Sequence, residues 1–245
     1  MKRHAAAVVL VAAMFIALAA RLEAAPHDLT MKLDGIGSVS APLQIVLVLT
    51  LLSFLPAVLV IMTSFTRIVI VLHFLRQAIG SQDMPPNQVI VGLTLFLTAF
   101  IMAPVAERIN DRAVQPVLAG SLSIGDGITA ATPPLREFML KHTRQTDLAL
   151  FVEISKTPRP STAADLPMLV VIPAYAISEL KTGFQMGFFV FVPFLLIDLV
   201  VSTTLLSMGM LQLPPAMISL PFKLLLFVMV DGWNLIVTSV VRSFA

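Results

Sequence analysis

Ser178 and Lys181 form an S-x-x-K motif, and Lys181 also begins a K-T-G motif that ends at Gly183. Both motifs occur in acyl enzymes with a serine nucleophile, but there they lie on separate elements that converge on one pocket. In this chain the two motifs overlap within a single short segment. We therefore do not predict an acyl-transfer enzyme.

The chain also lacks residues at the spacing that metal binding or nucleotide binding requires. The chain has no cysteine, and its four histidines, at positions 4, 27, 73 and 142, are too far apart in sequence to suggest a ligand pair. It contains no G-x-x-x-x-G-K-[ST] phosphate loop, no H-E-x-x-H motif and no G-x-S-x-G motif. We predict no enzymatic activity, no metal and no cofactor.

Charged residues inside apolar segments are the remaining candidates for function. Such charges are costly in lipid unless they are paired or hydrated, so we expect them to face protein or water. The charges that we predict to be buried and to hold an assembly together are Arg67, Glu179, Lys181, Asp198, Lys223 and Asp231.

Two of these charges, Asp198 and Lys223, lie on opposite arms of one apolar hairpin. Asp198 comes sixteen residues before Pro214, whereas Lys223 comes eight residues after Pro215. The two residues therefore lie at different distances from the tip of the hairpin. Each could equally well pair with a charge on a neighbouring subunit. Deleting one partner of a buried pair costs on the order of 3–5 kcal/mol, so we expect the loss of either residue to impair assembly.

The composition of the chain indicates a membrane protein. Of its 245 residues, 58% are apolar and 12% are charged, against about 45–50% and about 25% in soluble domains. Residues 107–181 carry eight basic and eight acidic side chains. This segment therefore has no basic face for nucleic acid, and we predict no nucleic-acid partner.

The charge pattern divides the chain into four segments. Residues 1–24 combine a basic start, an uncharged stretch and small residues, which predicts a cleaved signal peptide, with an uncleaved anchor helix as the alternative. Residues 43–104 and 184–241 are apolar hairpins, and residues 105–183 form a polar helical domain outside the cytoplasm. We predict an all-α membrane-associated fold, in which two long Pro-Pro-tipped helical hairpins flank a small helical extramembrane domain.

Local signals predict helix ends within these segments. Residues 43–80 are interrupted near Ser64, and the returning arm 89–102 ends at Pro104 and is short for a membrane span. In the polar domain, Thr132 is a candidate cap for a helix that begins at Pro133. Phe138 lies on the apolar face of that helix.

Small and flexible residues mark two further sites. Gly183 and Gly187 form a G-x-x-x-G pattern, which lets helices approach closely, either within the chain or between subunits. Met208 and Met210 flank Gly209 near the tip of the second hairpin. Methionine fills irregular gaps, so ordinary packing is the simplest interpretation of the composition alone.

Several separate motifs resemble one family, that of the flagellar biosynthetic protein FliP. They lie in the same order from about residue 42 to the end of the chain. The motifs are MTSFTRI (62–68), PPNQV (85–89), PLREFM (134–139), SELKT (178–182), LPFKL (220–224) and VDGW (230–233).

The resemblance implies a core channel subunit of the flagellar type III protein export gate. Such a subunit would form a ring of about five copies with FliQ and FliR, contact lipid and other export proteins, and pass unfolded flagellar proteins. It would lie in the bacterial inner membrane at the flagellar basal body, with much of the chain on the periplasmic side. The resemblance places the channel constriction at Met208, Gly209 and Met210, and here Leu211 and Gln212 follow where many members carry further methionines.

Two other functions stay open at this stage. One is a stand-alone proton-coupled transporter, with Arg67, Asp198, Lys223 and Asp231 as a relay. The other is an injectisome export-gate homologue, a branch that generally lacks a cleavable signal. The signal-like start of the chain favours the flagellar branch.

Overall fold

The structure is a computed structural model of the full chain. It describes residues 46, 49–50, 53, 57–58, 60–80, 85–155, 162, 165–210 and 212–245. The predicted signal peptide, residues 1–24, lies outside them. The chain divides into two compact units, Met1–Leu59 and Val60–Ala245. In the first unit the described residues are helical, and Thr50 Oγ1 donates to the carbonyl of Val46 at 2.7 Å.

The second unit is built from helices throughout its described residues. In chain order they are α1 (Phe65–Ile79), α2 (Asn87–Ile109), a π-helix (Asn110–Val114), α3 (Gln115–Leu118), α4 (Ile124–His142), α5 (Gln145–Ile154), α6 (Met168–Ser207), α7 (Pro215–Met229) and α8 (Gly232–Arg242).

The prediction of an all-α membrane-associated fold is confirmed. Two helical stretches, Asn87–Leu118 and Met168–Ser207, are long and apolar enough to cross a membrane. The pair α7 and α8 passes the same test together, but the two helices are bent by 63° at the break between them. The turns near Pro85 and Pro214 join α1 to α2 and α6 to α7, as the Pro-Pro positions predict.

Several prolines lie inside helices, where the sequence predicts helix ends. Pro104 lies within α2, which continues to Ile109, so the helix does not end at Pro104, where the sequence places the end of this arm. The domain boundary at 183/184 likewise falls inside α6, which spans Met168–Ser207. In an apolar environment a helix is the way to satisfy the remaining backbone groups, so one missing donor does not end it.

The prediction that a helix begins at Pro133 is also wrong. α4 begins at Ile124 and contains Pro133 and Pro134. Its cap is Ser123, whose side chain accepts a hydrogen bond from the backbone N–H of Asp126. The Ser-x-x-Asp spacing is a helix-start signal that competes with the Pro-Pro pair.

α1 lies in the core of the second unit. Its side chains Ile68, Leu72 and Leu75 are almost fully buried. They belong to one apolar cluster with Val171 and Ala174 of α6. The first and second hairpins are therefore joined through α1 and the first half of α6.

Candidate functional site

α1 and α6 run parallel to each other with a fixed register of polar contacts. Tyr175 Oη donates to the carbonyl of Thr63 at 2.9 Å. Four residues further along α6, Glu179 pairs with Arg67, which is four residues further along the chain from Thr63. Because both partners advance together, the helices point in the same direction.

Arg67 and Glu179 form a buried two-point ion pair. Arg67 Nε lies 2.8 Å from Glu179 Oε2, and Nη2 lies 2.5 Å from Oε1. The side chains are 4% and 0% exposed, so water does not solvate this pair. The parallel fork geometry of guanidinium and carboxylate is a strong one. Both residues are thus buried within the protomer and paired across 112 positions of sequence, and their role in assembly stays a prediction.

Arg67 also holds the C-terminal end of the chain. Its Nη1 donates to the carbonyl and to the hydroxyl of Ser243, both at 2.9 Å. Its guanidinium carbon lies 3.9 Å from the centre of the Phe244 ring, a cation–π distance. One arginine thus links α1, α6 and the residues after α8.

Phe138 connects the polar domain to this cluster. Its ring is stacked on Phe244 at 6.2 Å and meets Tyr175 edge-on at 6.1 Å. The predicted packing position of Phe138 is therefore buried, and its neighbours come from α6 and from the C-terminus.

His142 lies beside the same aromatic rings. Its Nδ1 is 2.8 Å from the carbonyl of Phe138, which can only accept, so Nδ1 carries the proton. Burial lowers the pKa of His142 below its ordinary value of 6.5, and the nearby Arg67 cation acts in the same direction, whereas the Phe138 carbonyl opposes the change.

Gly183 and Gly187 pack against α1 within the same chain. A methyl group added to Gly183 would lie 3.2 Å from Ile70, and one added to Gly187 would lie 2.6 Å from Phe74. Both glycines are buried. The G-x-x-x-G pattern therefore has an intrachain packing role, one of the two predicted alternatives.

Asp198 and Lys223 pair with each other across the second hairpin. Lys223 Nζ lies 2.6 Å from Asp198 Oδ2, and the hydroxyl of Ser219 donates to Oδ1 at 2.6 Å. Lys223 is buried, whereas the Asp198 side chain is about one-third exposed. The protomer itself thus supplies a partner for each charge, although their sequence positions match imperfectly.

The two remaining predicted charges, Lys181 and Asp231, are exposed in this chain. Lys181 is two residues after Glu179, which turns it to the opposite face of α6. Asp231 lies at the break between α7 and α8 with φ +50°, and its carboxylate accepts from Asn234 Nδ2 at 3.1 Å. Both side chains are therefore exposed in the protomer, and their burial in an assembly stays a prediction.

Ser178 has a structural role that its S-x-x-K motif does not predict. Its side chain is fully buried, donates to the carboxylate of Asp147 at 2.7 Å and accepts from the backbone N–H of Arg144 at 3.0 Å. It thus fixes the N-terminus of α5 on α6. Lys181 points elsewhere, so the two motif residues do not share a site.

Met208, Gly209 and Met210 form the turn after α6. Met208 and Met210 are 66% and 40% exposed. Gly209 has φ +74°, a conformation that favours glycine. The N–H of Gly209 donates to Leu206, and that of Met210 donates to Leu205. This local cap ends α6 and leaves both methionine side chains exposed.

The first hairpin has the same kind of turn. Gly80 has φ +81° and precedes Pro85 by five residues, just as Gly209 precedes Pro214 by five. The Gly-x-x-x-x-Pro-Pro spacing is therefore a sequence signal for both tips, and it extends beyond the Pro-Pro pairs themselves.

Among the described residues, no three His, Asp or Glu side chains converge on a point where a metal could bind. The polar contacts instead form separate clusters around Arg67, Ser178 and Asp198.

Helices long enough to cross a membrane, two ion pairs within the apolar segments and an exposed apolar tip define a helical membrane protein. Residues 48–240 match the FliP family. The chain is 55% identical over 207 residues to the flagellar biosynthetic protein FliP of Bacillus subtilis, covering 84% of this chain and 94% of that protein.

Two further relatives carry the same name. The FliP protein of Caulobacter vibrioides is 48% identical over 99% of this chain and 91% of its own length. The FliP protein of Pectobacterium carotovorum is 52% identical over 89% of this chain and 85% of its own length. The chain belongs to the FliP family, whose members have a structural role in flagellar biosynthesis and export.

Proposed function

We propose that this protein is a core channel subunit of the flagellar type III protein export gate. Several copies would surround a central path, and unfolded flagellar proteins would pass through it across the inner membrane. The subunit needs no catalytic site for this role, because energy would come from other parts of the apparatus.

The exposed methionine turn is the observation that carries the proposal. An idle channel must hold back ions, yet it must also admit extended chains of varied sequence. Unbranched thioether side chains repack at low cost, and an apolar constriction excludes ions by dewetting. Met208 and Met210 point outward from one protomer, so copies of the same turn from neighbouring protomers can meet and form the seal with Gly209.

The contacts of the charged residues favour a gate subunit over a stand-alone proton transporter. A relay requires a continuous path of exchanging groups. The side chains of Arg67, Lys223 and Asp231 instead make their polar contacts in three separate places, with Glu179 and Ser243, with Asp198 and with Asn234. The names of the relatives favour the flagellar branch over the injectisome branch.

The partners follow from the same proposal. About five copies would assemble with FliQ and FliR, with lipid around the complex and other flagellar export proteins nearby. The site would be the flagellar basal body, and the polar segment 105–183 would lie on the periplasmic side. Removal of a signal peptide at residues 1–24 stays a prediction.

A double substitution at the seal tests the proposal. Met208→Ala with Met210→Ala should leave the complex assembled and make cells permeable to small ions, because the shorter side chains no longer close the path. Met229→Ala is the matched control, since Met229 is also highly exposed but lies at the far end of α7. An assembled double variant that leaks no more than this control at equal expression would contradict the proposal.

A further inference from the structure

The Asp198–Lys223 pair lies level with the end of the first hairpin's α1. A methyl group added to Gly80, the residue after α1, would lie 3.4 Å from Lys223 Nζ. Because α1 and α6 are parallel, the part of the second hairpin beyond the pair extends past the end of α1. We name residues 199–222 the distal arm, of which all but Leu211 are described. Its α6 portion adds about 13 Å at 1.5 Å per residue.

Both helices of the hairpin contain a proline close to the base of this arm. Pro193 lies in α6, five residues before Asp198, and Pro221 lies in α7, two residues before Lys223. Each ring removes the N–H that would bind the carbonyl four residues earlier and crowds that carbonyl. Sharp bends in helices are found at such positions. Each helix of the hairpin therefore has one weakened point near the base of the distal arm, although the two points are not at the same height.

The distal arm is loosely packed beyond these points. An open apolar groove of about 560 Å³ separates its two helices, with Val201, Leu205 and Phe222 among its lining residues. Most apolar side chains of the arm are exposed, including Val200 at 63% and Met217 at 73%. In contrast, the first half of α6 is clamped against α1, where Val171 and Ala174 are fully buried.

We propose that the distal arm is a jointed element that swings about Pro193 and Pro221, and that the Asp198–Lys223–Ser219 cluster is the latch that holds it in the observed position. Asp198 and Ser219 lie on the tip side of Pro193 and Pro221, whereas Lys223 lies on the base side of Pro221, so the Asp198–Lys223 contact ties the arm to the base of the hairpin. The inference rests on the proposed channel function in one respect: the movement would carry the methionine turn into and out of the seal.

The latch residues suit a reversible contact. Asp198 keeps about one-third of its side chain exposed, whereas the Arg67–Glu179 pair is closed to water. Separating the two charges costs less at a partly hydrated site than at a sealed one, because water can solvate the released carboxylate. The Asp198–Lys223 pair can therefore separate when the arm moves, whereas the Arg67–Glu179 pair stays closed.

Distances between spin labels test the joint directly. The chain has no cysteine, so labels attach only where Gln185→Cys and Ser207→Cys place them, on either side of Pro193. Leu169→Cys with Gln185→Cys is the control pair, because it spans Pro173 in the clamped half of the same helix. Double electron–electron resonance spectroscopy measures the distance between the two labels in the assembled complex. A large excess of unlabelled chain is included, so that a complex holds at most one labelled copy and only distances within that copy are recorded.

We expect a broad distance distribution for the pair that spans Pro193 and a narrow one for the control pair. Pro193→Ala with Pro221→Ala restores both hydrogen bonds and should narrow the first distribution to the width of the control. Ser219→Ala, a mild change that leaves both charges in place, should broaden it. Equal narrow widths for the two pairs, or no response to the proline or serine substitutions, would overturn the inference. The leak assay at Met208 and Met210 is independent of these distances, so failure of the joint and failure of the channel function are distinguishable.

Discussion

At the scale of single residues, Arg67 connects the most distant parts of the sequence. It forms two bonds with Glu179, two with Ser243 and a ring contact with Phe244. Glu179 and Ser243 lie 112 and 176 positions away in sequence. An arginine at this position is sensitive to change because its fork geometry satisfies several acceptors at once, which lysine does not reproduce.

We expect Glu179→Ala to reduce the free energy of unfolding by about 3–5 kcal/mol, because it leaves a buried guanidinium without its carboxylate. The matched control is Glu137→Ala, which removes an exposed Arg–Glu pair with Arg108. That pair contributes about 0–1 kcal/mol. Chemical denaturation of the detergent-extracted protein measures both variants. If the two variants lost similar amounts of unfolding free energy, the buried Arg67–Glu179 pair would be no more important for stability than the exposed Arg108–Glu137 pair.

We expect acid to weaken the aromatic cluster through His142. Its pKa is lowered in the folded protein, so below pH 6.5 the unfolded chain binds a proton that the folded chain resists. The stabilisation is complete above that pH and is lost as the pH falls through the lower folded value.

The measurement is the thermal unfolding midpoint between pH 7.5 and 5. The His142→Phe variant is the control, since it keeps a ring and removes the titration. A midpoint that falls equally with pH in both proteins would contradict the assignment.

At the scale of elements, the contact between α1 and α6 decides how the hairpins are joined. Gly183 and Gly187 bring the two backbones together, and the Arg67–Glu179 pair fixes their register. The distal arm beyond Asp198 lacks this clamp. Rigid and movable parts thus lie along one continuous helix.

We expect Gly187→Ala to destabilise the protein, since the added methyl group would lie 2.6 Å from the Phe74 ring. Gly92→Ala is the matched control in α2, because no atom lies within 4 Å of the added group. The control should gain roughly 0.5–1 kcal/mol from helix propensity. Unfolding midpoints in detergent test both, and a Gly187→Ala variant as stable as Gly92→Ala would contradict the close packing.

At the scale of the whole molecule, the sequence predicts the helices and the two tips but not all helix ends or contacts. Composition and the Pro-Pro positions predict the hairpins correctly. The continuous path of α6 through Pro173 and Pro193 is not predictable from local rules, because its packing and apolar surroundings outweigh the lost hydrogen bonds. The exposure of Lys181 in the protomer is likewise not predictable, because the face on which it lies depends on the register of α6 with α1.

For the charged residues too, the sequence predicts part of the result. The sequence identifies Arg67, Glu179, Asp198 and Lys223 as buried or paired, since charges in apolar segments need partners. It does not assign the partners, because only the parallel register of α1 and α6 brings residue 67 beside residue 179. Sequence distance holds no information about that register.

The native mass of the detergent-extracted complex tests the central claim most directly. A gate subunit should occur in a large assembly that contains several copies of the 26.5 kDa chain together with other export proteins. We predict about five copies. A functional particle that contains a single copy of the chain and no partner would contradict the account.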